Sequence, residues 1–167
     1  CHFSNPIFIL TMIKTKPLLV LAIHYSLNII IGIIFKNKNI PLKNNDKPKP
    51  EMKNFFQVFT SSIKNSMENS LFILGVIVFF FMISSIINTP ITNIFLELSQ
   101  GLNYISLMNI SDKLKTALAG ALLSFGGFSV HLQTYGILSD MNFKYIKYLK
   151  TRIFHSLLSF IIIFIIF

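Results

Sequence analysis

The sequence predicts an all-α membrane fold: a polytopic helix bundle with one broken helix and a re-entrant segment. Three observations carry this reading. Hydrophobic residues fill 53% of 167 positions, charged residues only 13%, and mean hydropathy is +0.65, which lies outside soluble-domain composition. Apolar stretches long enough to approach the roughly 30 Å of a bilayer core recur along the chain. The lysines gather between those stretches, as they do in cytoplasmic loops.

Near the start, Asn5-Pro6 in "FSNPIF" favours a turn or a helix start, a loop being the simpler reading. The first span, about 17–35, begins on a proline suited to a first helical turn and meets no charge before Lys36. A Lys-rich loop follows at 36–53, with six lysines against two acids, and is expected on the cytoplasmic side. Over 54–68, Phe55, Phe59, Ile63 and Met67 fall four residues apart, one stripe of a helix. That spacing predicts an interfacial helix leading into the second span, about 70–87.

Asn88, Thr89 and Pro90 end the second span, because proline lacks a backbone donor and disfavours helix in the residue before it. Residues 89–112, interrupted by Glu97 and Gly101, are too polar for a lipid-facing span and suit a re-entrant or outer segment covered by other protein. The third span, about 114–138, is uncharged from Thr116 onward but holds four glycines, a histidine and a glutamine. The fourth, about 150–167, is short, so either Lys150 and Arg152 snorkel toward the headgroups or the natural chain continues, the simpler reading. With Lys144 and Lys147 they form a second cytoplasmic basic cluster. A chain opening at Cys1 and closing on "IIIFIIF" is expected to be part of a longer membrane protein.

Several function classes drop out. A single cysteine leaves no intrachain disulfide and no thiolate metal site. With no HExxH and no closely spaced histidine pair, neither a metal nor a cofactor is expected. His24 in the first span and His155 in the fourth then read first as interhelical hydrogen-bond partners. GxSxG, the P-loop and GxGxxG are all missing, so no enzyme is expected. The net charge of +9 rests on lysines, with Arg152 the sole arginine, and this pattern fits a membrane surface rather than nucleic acid. The lipid bilayer is the expected partner.

The candidate site lies in "SFGGFSVHLQ", 124–133. Ser129, His131 and Gln133 alternate, a spacing that points side chains one way only on extended or unwound backbone. Gly126 and Gly127 permit such a break, which at membrane depth requires surrounding protein or a polar cavity. Glu97 is the second candidate, because a carboxylate in a membrane is costly unless it is paired or protonated. Either these residues line a path for a polar solute or ion, or Ala117, Gly120, Ala121, Ser124 and Gly127 form a helix-packing stripe and Glu97 is a solvated acid.

Together "CHFSNPIFIL", "AIHYSLNIIIG", "FLELSQGL", "LLSFGGFSVHLQ" and "YLKTRIFHSLLSF" resemble the C-terminal half of the YlbJ-type sporulation integral membrane proteins. That family sits among the nucleoside-recognition or Gate domains, similar to membrane parts of concentrative nucleoside transporters. The resemblance is most specific at Phe125, Gly126, Gly127, Ser129, His131 and Gln133, and shorter at Glu97 and Gly101. It implies one Gate-type domain in the cell membrane of an endospore-forming bacterium, needed for spore cortex formation. Its implied partners are the N-terminal half of the same protein and other sporulation membrane proteins. The stretch "ILTMIKTKPLL" departs from the family, where a longer glycine-rich segment is usual.

Overall fold

The structure, a computed structural model, describes residues 4–35, 54–139 and 143–167. Eight helices and no strand occur among them. Helix α1, Pro6–Met12, begins on its proline, and the Asn5 side chain accepts the Ile7 N–H. This cap satisfies one of the donors that a helix start leaves over, so "FSNPIF" is a helix start and not a loop. Lys16 turns the chain in the left-handed region, and α2 runs over Pro17–Ile34.

Helix α3, Phe55–Ile87, is unbroken for 33 residues, about 50 Å. The Gln57 side chain accepts the Asn54 N–H at its start, and Asn88 in the left-handed region ends it. The expected interfacial helix at 54–68 is therefore not a separate element. Nothing between Ser66 and Ser70 removes a backbone donor, so the amphipathic turn runs straight into the apolar one.

Residues 89–112 fold as α4, Pro90–Phe95, and α5, Leu98–Leu107, capped by Thr89 and Glu97. The third predicted span divides into α6, Asp112–Phe125, and α7, Gly127–Leu138, about 21 Å and 18 Å long, neither long enough to cross a bilayer by itself. Helix α8, Tyr145–Ile166, starts five residues earlier than the predicted fourth span, and at 22 residues it has spanning length. Among the described residues three helices, α2, α3 and α8, are long and apolar enough to cross a membrane. The lysine loop 36–53 lies outside the described residues.

Contacts set the directions. Arg152 reaches Phe125, Ser156 reaches Ala121 and Lys113 lies over Phe164, so α8 runs antiparallel to α6. Lys16 over Phe167 and Phe35 beside Phe154 make α2 antiparallel to α8 as well. A side chain at Gly120 would strike Ile163, so α6 and α8 approach closely at that residue. Ile9, Val20, Leu102, Leu123 and Ile163 meet in the core that α1, α2, α5, α6 and α8 share. Helix α3 exposes Phe55, Leu71, Phe79 and Ile86 along its length.

Candidate functional site

The site is built where two helix breaks meet. Gly126, at φ +100°, ends α6, and Gly127, at φ +68°, begins α7. Both angles lie where a Cβ is strained, which is the local reason the sequence needs two glycines. Gly127 is also a close approach, because a Cβ there would lie 3.3 Å from the Phe95 carbonyl oxygen and 3.4 Å from the Leu98 nitrogen. Those atoms flank the second break, Leu96-Glu97, between α4 and α5. Across the contact, the Ser129 N–H donates to the Leu96 carbonyl at 3.0 Å.

Helices α4 and α5 fold back at this point. A side chain at Gly101 would meet the Ile94 carbonyl, seven residues earlier, and the Leu122 side chain. Glu97 at the corner is 4% exposed, which excludes the solvated-acid reading for this structure. Its carboxylate accepts the Gln100 N–H at 2.9 Å and the Ser99 hydroxyl. No ion pair to Glu97 occurs among the described residues.

The carbonyls released by the break at the end of α6 find their donors on α7 and α8. Arg152 Nε donates to the Phe125 carbonyl at 3.1 Å, and Nη2 lies 3.4 Å from the Leu123 carbonyl. A cation at a helix C-terminus also meets the negative end of the helix dipole. Arg152 is 3% exposed and turned to these carbonyls, which speaks against snorkelling at that residue, while Lys150 and Lys147 remain exposed.

His131 shares this task. Its Nε2 lies 3.1 Å from the Phe125 carbonyl, and because a carbonyl only accepts, that nitrogen carries the proton. Nδ1 then accepts from the Tyr145 hydroxyl at 3.3 Å. Phe125, Tyr145 and Tyr148 surround the ring, with centroids 4.6, 6.0 and 5.3 Å away. His131 is therefore held on the side of α7 that meets α8.

Ser129 and Gln133 lie elsewhere on α7. Helix resumes immediately at Gly127, so Ser129 and Gln133, four apart, share a face, and His131, 200° from each, does not. The expectation that all three turn to one side is corrected, because the two glycines confine the irregular backbone to a single joint. Ser129 is fully buried and its hydroxyl has no partner among the described residues. The same holds for Gln133 Nε2, and for Gln100 Oε1 one turn along α5 from Glu97.

Sequence reasoning missed Arg152 and Tyr145 as parts of the joint, and Gln100 beside it. One signal was present: the sole arginine of a lysine-rich chain stands three residues before His155, on the same helix face. Among the described residues no group of three or more His, Cys, Asp or Glu could hold a metal ion. Compared with protein-family models, curated proteins and solved structures, the chain gives no match.

Proposed function

We propose that the chain is part of a multi-pass, transporter-like protein of the cell membrane, handling a polar solute at the joint of its two broken helices. The carrying observation is the meeting of the α4–α5 corner with the α6–α7 joint at the Ser129 N–H to Leu96 carbonyl bond, with a buried polar atom lacking a protein partner on Ser129, on Gln133 one turn along α7, and on Gln100 one turn along α5 from Glu97. Such atoms cost about 1–3 kcal/mol each if left unsatisfied, and discontinuous helices serve this purpose in transporters. In this reading α4 and α5 form the re-entrant segment, α6 and α7 together cross the membrane, and Glu97 handles a proton or cation. His131 and Arg152 position the joint. The resemblance to YlbJ-type proteins supports a place in spore cortex formation.

A second reading, a non-transporting structural protein that scaffolds partners or lipid at the forespore membrane, is favoured by the tight α6–α8 contact at Gly120 and the full burial of Ser129. Glu97→Gln and Gln133→Leu in the full-length protein separate the two. At normal protein level, transport predicts cortex loss with either change. A normal cortex with both, combined with failure of Gly120→Leu to assemble, contradicts transport and favours the scaffold.

A further inference from the structure

A cavity of about 200 Å³ lies at the end of the bundle where α1 leads into α2, α5 finishes and α6 begins. It shares no residue with the joint of the broken helices. Lys14 and Thr15 come from the turn before α2, Ser106 from the last turn of α5, and Asp112, Lys115 and Thr116 from the opening turns of α6. Leu102 and Ile105 of α5 supply apolar lining beneath them.

Lysine is concentrated at this end, where Lys14, Lys16, Lys113 and Lys115 accompany Asp112. The four divide into two kinds. Lys16 lies 3.8 Å from the centroid of the Phe167 ring and Lys113 4.6 Å from that of Phe164, contacts in which an aromatic face attracts the cation. Lys14 and Lys115 line the cavity instead, and among the described residues neither forms an ion pair, nor does Asp112. The hydroxyls of Ser106 and Thr116 are already donated to the Asn103 and Asp112 carbonyls, at 2.7 and 2.8 Å. The side-chain donors left for a ligand are the two ammoniums and the Thr15 hydroxyl.

We propose that this cavity binds a singly charged phosphate group. Its lining carries two cations and one carboxylate, so one negative charge neutralises it. Lysine holds phosphate as a point charge with N–H donors. The volume is below the roughly 300–1,000 Å³ of pockets for drug-sized ligands, a size suited to a headgroup or a small phosphate ion. Helix α2 begins and α8 finishes at this level, and both are of spanning length. In a bilayer that they cross, this is the level of the lipid phosphates, and Leu102 and Ile105 offer apolar surface to the ester end of a lipid. A phospholipid headgroup and free phosphate present the same group to Lys14 and Lys115.

Native mass spectrometry of the full protein, released from detergent carrying phosphatidylglycerol or phosphatidylcholine, tests the site. No transported solute is involved, so the result stands apart from the transport reading. Phosphatidylglycerol should be retained in preference to phosphatidylcholine. Lys14→Gln and Lys115→Gln should each weaken its retention about tenfold, the loss of one charge-assisted hydrogen bond. Asp112→Asn should tighten it about threefold by removing a like charge near the surface, a gain that misfolding does not produce. Inorganic phosphate separates the two sources. Phosphate that displaces the lipid, or shields Lys14 and Lys115 from acylation in lipid-free detergent, identifies a free anion as ligand, whereas lipid retention untouched by phosphate identifies the headgroup. Equal retention of both lipids without shielding by phosphate, lysine variants that bind as the wild type does, or weaker binding by Asp112→Asn would each overturn the proposal.

Discussion

Helix α3 and the α6–α7 pair are both long apolar stretches with glycine inside, yet one is continuous and the other is jointed. Gly75 in α3 keeps helical geometry, and a Cβ there would meet nothing within 4 Å. Gly126 and Gly127 take positive φ, and backbone groups that the joint frees have partners: Arg152 and His131 donate to the Phe125 carbonyl, and the Leu96 carbonyl accepts from the Ser129 N–H. Glycine permits a break without causing one. The difference lies in the partners, since freed backbone groups in an apolar setting need donors and acceptors nearby.

The largest expected effect comes from forcing a side chain onto the joint. Gly126→Val would strain the backbone by about 1–3 kcal/mol and push Val130 and the Arg152 guanidinium, 3.2 and 3.4 Å from the added Cβ. Detergent-denaturation midpoints should fall sharply, and an unchanged midpoint would mean that the joint straightens at no cost. Arg152→Met comes next. It keeps the apolar stem and removes the donor to Phe125, so a loss of about 1–3 kcal/mol is expected in the same assay. Arg152→Lys should recover only part of it, because one ammonium does not reproduce the two-carbonyl fork.

Gly75→Ala should move stability least and in the opposite direction. Open space and helical geometry predict a gain of about 0.5–1 kcal/mol. A loss would show that α3 has a close neighbour at that position.

Much of this contrast was legible in the sequence. The uncharged runs marked α2, α3 and α8 because hydrophobic length is a local property. The paired glycines marked the joint for the same reason, and Glu97 stood out as a lone acid in apolar surroundings. What the sequence hid was pairing. Whether Arg152 turns to headgroups or to carbonyls depends on α6 ending 27 residues away in sequence. The face shared by Ser129 and Gln133 depended on how soon helix resumes after Gly126, which hydrophobic periodicity does not register.

The most direct test is water access at the joint. With Cys1→Ser removing the single native thiol, cysteines at Gln133 and at Leu74, the latter on the exposed apolar face of α3, are exposed to a small charged methanethiosulfonate in liposomes. A polar site at the meeting of the breaks predicts modification at 133 and none at 74. Equal protection of both positions would contradict it and leave the joint as a packing device.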